Sequence, residues 1–369
     1  MMPAPPMPHA TRRIRAADGC AAGGVAALLL APGSDLTYLT GYRIFGSERL
    51  TCLVLTAAGT ATLVLPELEA PRAAVAAPGL VLATWAETED PYALVAGLVP
   101  SPGPLAVSDQ MWAAFVLGLI RAAPERELRL ASTITRELRM RKDAAEQAAL
   151  RAVSAAADRA FDRIRVRPFR GRTEREIATE LKALLEDEGH DEVLFTIVAS
   201  GPNGASPHHA TGDRRLAAGD TVVLDFGGTR AHYGSDITRT VHVGPDIDAE
   251  TRRVHELVLR AQEAGYAAAR AGATAASVDA AARMVIADGG YGDRFIHRLG
   301  HGIGLDGHEH PYLVAGNSDT LDAGMTFSIE PGIYLPARFG VRIEDIALIG
   351  PDGRAEPLNH ADRALAIVA

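Results

Sequence analysis

The feature that most constrains this chain is an order of elements that occurs twice, about 100 residues apart. In each copy two helical patterns are followed by strands that carry acidic residues. The helices are predicted at 139–166 and 173–188, then at 248–271 and 277–288, and the strands at 195–200 and 221–228, then at 325–331 and 341–349. We therefore predict an internally duplicated α+β domain over residues 139–369.

The segment before the duplication has a different pattern. Residues 1–9 are rich in Pro and Met and are expected to be loose. Short apolar runs then alternate with helical patterns: strands are predicted at 25–31, 51–56, 60–65, 80–84 and 104–108, and helices at 10–22, 68–77 and 91–99. This alternation predicts an α/β domain over residues 10–138, with helices on the faces of a sheet.

Composition excludes several classes of function. The formal net charge of -9 disfavours nucleic-acid binding through general basicity. No run reaches the ~18 apolar residues of a membrane span. Cys20 and Cys52 form no close pair, so the chain has neither a C-x-x-C motif nor a disulfide framework. A reducing cytoplasm is the expected setting.

The strands of the first copy contain two acids in unusual places. Asp225 interrupts the apolar run TVVLDFGG, and a buried unpaired carboxylate needs a cation. Asp236 lies eleven residues further on, and Thr238 shares its face of a strand. A turn around residues 229–233 is expected to bring the two acids together.

The second copy repeats this arrangement with glutamates. Glu330 ends the strand MTFSIE, and Glu344 follows in VRIEDIAL, where it shares a face with Arg342. Arg342 is suited to position a carboxylate or to bind an anionic group of a substrate. Four carboxylates in two paired sets predict a dinuclear metal site, completed by one histidine.

The segment HRLGHGIGLDGHEHP (297–311) contains both a nucleotide-like glycine pattern and several histidines. GIGLDG matches G-x-G-x-x-G, but Pro311 follows it and no long helix is predicted there, which disfavours a dinucleotide site. HRLGH lacks the glutamate of H-E-x-x-H. Spacing alone does not identify the metal-binding histidine, and His208 and His209 are further candidates.

Several motifs together resemble one family. PHHATGDR, LDFGG, SDITRT, GHGIGLDGHE, IEPGIY and VRIED occur in this order. They resemble the proline-specific branch of the pita-bread metallopeptidases, which contains Xaa-Pro dipeptidases (prolidases) and aminopeptidase P. The resemblance covers roughly residues 140–365, and residues 35–69 resemble the creatinase-like N-terminal domain of that branch. It implies a pita-bread domain with a pseudo-twofold axis.

The resemblance also implies roles for individual residues. The implied metal ligands are Asp225, Asp236, His301, Glu330 and Glu344. His208 and His308 become groups that bind the substrate and stabilise the transition state, and His297 lines the substrate pocket. Arg342 lies beside the site. Thr238 is expected to orient a carboxylate ligand.

The activity implied is hydrolysis of an Xaa-Pro bond by a bridging hydroxide on two divalent metals, with Glu330 as the proton acceptor. Oxygen donors with one imidazole favour Mn²⁺, with Co²⁺, Fe²⁺ or Zn²⁺ as alternatives. A small peptide with Pro at its second position is the expected substrate. A dipeptidase is preferred because the chain is short, and aminopeptidase P, a non-catalytic binding protein and a creatinase-type hydrolase remain alternatives.

A dipeptidase must hold the free carboxylate of its substrate. Arg338, Arg342, or Arg43 from the N-terminal domain of a partner subunit are the candidates. The family implies a homodimer, in which the stretch GYRIFGSERL (41–50) either caps the site or is a plain surface loop.

Overall fold

The computed structural model describes residues 7–369. The chain divides into two compact units, of which the first ends at Arg139 and the second comprises Met140–Ala369.

The N-terminal unit alternates helices and strands. Its helices are α1 (His9–Ala22), α2 (Ser34–Thr40), α3 (Ala70–Ala76), α4 (Pro91–Gly97), α5 (Ala113–Ala122) and α6 (Ser132–Met140, whose last residue belongs to the second unit). Its strands are β1 (Ala27–Leu30), β2 (Cys52–Thr56), β3 (Ala61–Pro66), β4 (Val81–Trp85), β5 (Leu105–Val107) and β6 (Leu128–Leu130). The six strands form one sheet in the order β4-β3-β2-β1-β5-β6.

Burial explains the centre of this sheet. All four residues of β1 are buried, and the strand pairs antiparallel with β2 and parallel with β5. A strand covered on both faces has this continuous apolar pattern. The predicted α/β organisation is confirmed, although α2, α5, β6 and α6 were not predicted from the sequence. Residues 41–50 form no helix or strand.

The second unit contains the duplicated elements. Its helices are α7 (Ala144–Ile164), α8 (Glu174–Asp187), α9 (Ala249–Ala268) and α10 (Ala275–Asp288). Its strands are β7 (Glu192–Ser200), β8 (Thr221–Arg230), β9 (Tyr233–Val243), β10 (Gly300–Gly302), β11 (Glu309–Leu313), β12 (Thr326–Ile329), β13 (Gly332–Leu335), β14 (Phe339–Arg342), β15 (Asp345–Ile349), β16 (Ala355–Pro357) and β17 (Ala366–Val368).

Each half of this unit contributes a sheet. The first half supplies β9-β8-β7, to which β17 adds a parallel strand, and the second half supplies β11-β10-β12-β15-β16 and the hairpin β13-β14. Helices α7 and α8 pack with the first sheet in one apolar cluster, and α9 and α10 pack with the second in another. The predicted α+β domain with an internal repeat is thus confirmed.

Capping fixes where the paired helices begin. Asp143 and Glu146 form a reciprocal capping box at α7, and Thr173 and Glu176 form another at α8. Each box satisfies backbone N–H groups that the first turn of a helix leaves free.

One strand prediction was wrong. Residues 341–349 were predicted as one strand, but they form the end of β14 and the whole of β15, which belong to different sheets. The break falls at Ile343 and Glu344, and Glu344 instead makes an isolated bridge to Thr238. All residues from 341 to 349 are buried and none is Gly or Pro, so the pattern did not reveal the break.

Across residues 7–369, the structure contains no helix whose length and apolar character would let it span a membrane.

Candidate metal centre

The second unit encloses a cavity of about 300 Å³. Its walls come from both halves of the duplication. The lining residues are Phe195, Ile197, Pro207, His208, Asp225, Asp236, His297, Arg298, His301, Gly307, His308, Glu330, Arg342 and Glu344.

The β8–β9 hairpin carries the first two acids of the cavity. Asp225 is opposite Thr238 and Asp236 is opposite Gly227, so the register places both acids on the same face of the hairpin. Both residues are buried. The turn predicted around residues 229–233 does join the two strands, and it brings the two carboxylates into one group with Glu344.

The imidazole of His301 lies between the two halves. Its Nδ1 donates to the carbonyl oxygen of Gly302 at 3.1 Å, which leaves the lone pair of Nε2 free. Nε2 is 3.7 Å from Asp236 Oδ2 and 3.4 Å from Glu330 Oε1. Burial lowers the pKa of His301 to about 3, so the ring is neutral, as a metal ligand must be.

The glutamates of the second half are oriented by hydroxyl groups. Glu330 follows β12 and accepts a hydrogen bond from Ser328 Oγ at 3.1 Å. The same Ser328 hydroxyl accepts from the backbone N–H of His301 at 3.0 Å. Glu344 accepts from Thr238 Oγ1 at 2.6 Å, so a threonine of the first half orients a carboxylate of the second.

The donor set fits divalent cations. The five residues of the predicted ligand set fall into three overlapping groups, one of which also includes His308, and within each group the ligand atoms lie within 4.8 Å of one another. Oδ1 of Asp236 is buried and has no hydrogen-bond partner among residues 7–369. A buried carboxylate oxygen of this kind needs a cation or a donor.

Crowding of the acids has an electrostatic consequence. Burial raises the pKa of Asp236 well above its usual value, and the charges of Asp225 and Glu330 raise it further. Burial and the charge of Asp236 also raise the pKa of Glu344. Burial raises the pKa of Glu330 to about 7 although Arg342 opposes the change. Like charges in a buried site cannot all ionise unless cations compensate them.

A directed chain of hydrogen bonds leads from Asp225 to His297. The Nη2 atom of Arg342 donates to Asp225, and its Nη1 atom donates to the Tyr334 hydroxyl oxygen at 3.0 Å. Tyr334 in turn donates to His297 Nε2 at 2.9 Å, because His297 Nδ1 donates to the carbonyl oxygen of Arg298. Both ring nitrogens of His297 are therefore engaged, and the ring lines the cavity.

Three further side chains face the cavity. His208 and His308 are exposed there. Arg298 NH2 lies 3.1 Å from His308 Nδ1 and can only donate, so the proton of a neutral His308 is on Nε2. The guanidinium of Arg298 also lies 4.4 Å from the centre of the Tyr312 ring. Sequence reasoning missed Arg298, Tyr334 and Ser328.

Some predicted residues lie elsewhere. Arg338 is 52% exposed and pairs with Glu250 at 2.5 Å, so it does not line the cavity. Arg43 belongs to the N-terminal unit, where its carbonyl oxygen accepts from Arg72. His209 bonds to Glu174 rather than facing the cavity. No helix begins within residues 302–313, as the rejection of a dinucleotide loop requires.

Both units match known families. Residues 147–351 match metallopeptidase family M24, and residues 12–141 match the creatinase/prolidase N-terminal domain. The chain belongs to metallopeptidase family M24, and it is a peptidase. Its predicted architecture, a creatinase-like N-terminal domain followed by a pita-bread domain, is confirmed by these matches.

Individual relatives are similar over almost the whole chain. A probable dipeptidase PepE of Mycobacterium tuberculosis is 46% identical over 98% of this chain and 96% of its own length. An Xaa-Pro dipeptidase of Pyrococcus horikoshii is 33% identical over 92% of this chain and 94% of its own. The crystal structure of dipeptidase PepE from Mycobacterium ulcerans has a TM-score of 0.92 at 45% identity, covering 98% of each chain.

Proposed function

We propose that this chain hydrolyses the peptide bond of Xaa-Pro dipeptides with two divalent metals. One observation carries the proposal: four carboxylates and one imidazole converge on a cavity of about 300 Å³ that also contains the guanidinium of Arg298. The Xaa-Pro dipeptidase of P. horikoshii, similar over almost the whole chain, supports the substrate class.

Five residues of this chain are the candidate ligands of the two metals. Asp225, Asp236, His301, Glu330 and Glu344 would bind the pair, and the predominance of carboxylate oxygens favours Mn²⁺. When bound, such a pair makes water nucleophilic at neutral pH and polarises the scissile carbonyl. Glu330 would accept the proton of the attacking water, because its carboxylate lines the cavity in which the substrate would bind.

Two histidines stabilise the charge that develops on the carbonyl oxygen. His308 presents Nε2–H to the cavity, because its Nδ1 accepts from Arg298. His208 approaches from the loop after β7 and lines the same cavity. Donors fixed in advance at this position lower the barrier of acyl transfer by several kcal/mol.

Arg298 is our candidate for binding the substrate carboxylate. Arg342 is already committed to Asp225, Thr238 and Tyr334. Arg298 lines the cavity, and within residues 7–369 none of its hydrogen bonds is to a carboxylate. A planar guanidinium can hold a carboxylate through two parallel hydrogen bonds.

The direct test uses metal-stripped protein supplied with Mn²⁺ and assayed on Ala-Pro, Ala-Pro-Ala and Ala-Ala. Hydrolysis of Ala-Pro alone, dependent on added metal, is the expected result. Cleavage of only the tripeptide would identify an aminopeptidase P instead, and equal cleavage of Ala-Ala would remove the proline requirement.

The Arg298→Met variant should raise KM for Ala-Pro about 10- to 100-fold and leave KM for the amide Ala-Pro-NH₂ unchanged.

The domain bounds, the oligomeric state and the cellular location are further parts of the proposed function. We place the catalytic domain at residues 139–369 and the N-terminal domain at 10–138. We propose a homodimer in the cytoplasm, in which Arg43 of the partner's 41–50 loop reaches the substrate pocket; the free cysteines Cys20 and Cys52 are compatible with a reducing compartment. Light scattering should give the mass of a dimer. Arg43→Ala should lose specificity for Ala-Pro if the 41–50 loop reaches the pocket.

A further inference from the structure

The loop that carries His208 is held unusually firmly for a segment without regular structure. It follows the short 3₁₀ segment Gly201–Ala205 and ends at Gly212, before β8. The ring of His208 is exposed to the cavity and forms no hydrogen bond within residues 7–369. Its position is therefore set by the backbone of the loop and by whatever holds that backbone.

The main anchor of the loop is the carboxylate of Glu174, at the start of α8. This side chain is 0% exposed. Its Oε1 accepts from the backbone N–H and the hydroxyl of Ser200, at 2.8 and 2.7 Å, and from Asn203 Nδ2 at 2.9 Å. Its Oε2 accepts from His209 Nε2 at 2.9 Å and from the backbone N–H of Gly212 at 3.1 Å.

Glu174 thus joins both ends of the loop to one helix. Burial alone would raise the pKa of Glu174, but the hydrogen bonds from Ser200, Asn203 and His209 lower it below its usual value. The carboxylate is charged and accepts five hydrogen bonds, and charge-assisted bonds of this kind are about twice as strong as neutral ones.

Two further contacts fix the middle of the loop. Thr211 Oγ1 accepts from the backbone N–H of Val198 on β7 at 2.9 Å. The carbonyl oxygen of Pro207 accepts from Arg342 NH1 at 3.4 Å. His208 is therefore flanked on one side by a contact to the Asp225-binding arginine and on the other by the His209–Glu174 bond.

We propose that Glu174 is a positioning residue for catalysis, which holds the His208 ring at the reacting carbonyl by clamping residues 200–212. The proposal rests on the proposed function, because it needs His208 to act on the substrate. Glu174 itself lines no part of the cavity and touches none of the five candidate metal ligands. An effect of Glu174 on turnover must then pass through the loop.

The chemistry of the clamp predicts what an amide does there. In Glu174→Gln the oxygen can still accept from Ser200 and Asn203, but the NH₂ group replaces the acceptor of His209 Nε2 and of the Gly212 N–H. The Gly212 N–H can only donate, and His209 could accept from the amide only by moving its proton to Nδ1, so the second half of the loop is held less firmly. A catalytic group displaced by about 1 Å costs on the order of 10²-fold in rate.

The experiment measures Ala-Pro hydrolysis, metal content and amide hydrogen exchange in Glu174→Gln. We expect kcat to fall about 10- to 100-fold, KM to change little, the metal content to stay at the wild-type value, and exchange across residues 206–212 to accelerate. In the His208→Ala background the same change should have almost no further effect on kcat, because the clamp then has nothing to position.

Three further variants separate positioning from general destabilisation. His209→Ala removes one bond of the clamp from a half-buried side chain and should reproduce part of the loss, while His209→Gln, which keeps a donor, should restore it. Asp158→Asn is the matched control: Asp158 is a buried carboxylate that accepts from Asn359 Nδ2 and the His360 N–H, far along the chain from the loop. Asp158→Asn should lower the free energy of unfolding without changing kcat.

Distinct results overturn the two proposals. Additive losses in Glu174→Gln and His208→Ala, or unchanged exchange in residues 206–212, would disprove the positioning role even if the wild type cleaves Ala-Pro. If the wild type does not cleave Ala-Pro at all, the proposed function fails, while the exchange measurement still reports whether Glu174 clamps the loop. If Glu174→Gln does not fold, the His209 pair decides.

Discussion

The two halves of the duplicated domain each supply two carboxylates to the cavity, but they hold them in different ways. In the first half, Asp225 and Asp236 belong to one long hairpin, and strand register alone sets their spacing. In the second half, Glu330 follows the end of one strand and Glu344 sits at the break between two sheets. Hydroxyl groups then orient both glutamates. Regular pairing spaces the first pair, and Arg342 also donates to Asp225, whereas both members of the second pair accept hydrogen bonds from hydroxyl groups.

Removing a candidate ligand on the β8–β9 hairpin should have the largest effect on activity and metal content. Asp236 belongs to two of the three candidate ligand groups, so Asp236→Asn should affect both metal positions. We expect kcat to fall about 10³-fold or more, equivalent to roughly 4 kcal/mol, and bound metal to fall below the wild-type ratio. Elemental analysis with an Ala-Pro assay measures both. Asp246→Asn, an exposed change after the same hairpin, should be neutral; full metal content in Asp236→Asn would contradict the assignment.

The next prediction compares one histidine from each half. His208→Ala and His308→Ala should each lower kcat about 10²- to 10³-fold, because each removes a donor to the developing oxyanion. Both variants should keep the wild-type metal content, because neither histidine is among the five residues that would bind the metals and Nε2 of His308 carries its proton. Elemental analysis beside the Ala-Pro assay measures both quantities. Metal loss in His308→Ala would show that His308 is a ligand, as its candidate group with Asp236 and His301 allows.

A smaller effect is expected from the hydroxyl that connects the halves. Thr238→Val removes the donor to Glu344 Oε2 and the acceptor of Arg342 Nε while nearly keeping the volume. We expect the metal affinity of Thr238→Val to fall about 10- to 100-fold. Thr238→Ser should recover most of that affinity. Metal titration of both variants gives the comparison. A Thr238→Val protein with wild-type metal affinity would mean that Glu344 needs no support from the first half.

The smallest predicted effect concerns α9, the long helix of the second half. Its His255 is buried, and burial lowers its pKa to about 4 although Asp362 opposes the change. The unfolded chain takes up this proton near pH 6.5, so the stabilisation is full above that pH and is lost as the pH falls towards 4. Between pH 7 and pH 5.5 this amounts to about 1 kcal/mol.

Denaturant unfolding at the two pH values measures this dependence. His255→Phe should be less sensitive to acid than the wild type by about that amount, and His360→Gln, an exposed change, is the control. An unchanged pH dependence in His255→Phe would show that His255 is not the group responsible.

The sequence predicted the hairpin site better than the rest of the centre. A charge inside an apolar run can be recognised without a structure, so Asp225 and Asp236 were identified from spacing and burial. The choice of His301 came from the family resemblance, since spacing did not separate it from His208 or His308. The break at Glu344 was not predicted, because every residue from 341 to 349 is buried and no Gly or Pro marks where one sheet ends and the other begins.

Tyr334 and Arg298 were missed because their roles depend on contacts that only the folded chain makes. Tyr334 and Arg342 meet because the β13–β14 hairpin aligns Gly332 with Arg342, and that register depends on a turn the sequence pattern did not specify. Arg298 lies within a motif that was noticed for its histidines. Its role depends on which arginines are already paired, as Arg338 is with Glu250, and pairing is a property of the folded chain.

The Thr238–Glu344 hydrogen bond also has a consequence for how the protein folds. Its partners are 106 residues apart in the chain, and Arg342 and Asp225 are 117 residues apart. The β8–β9 hairpin, by contrast, forms from neighbouring residues, and local contacts form earlier in folding than contacts that close long loops. The five candidate ligands therefore come together only after both halves have docked, so we expect refolding protein to take up metal no earlier than that docking.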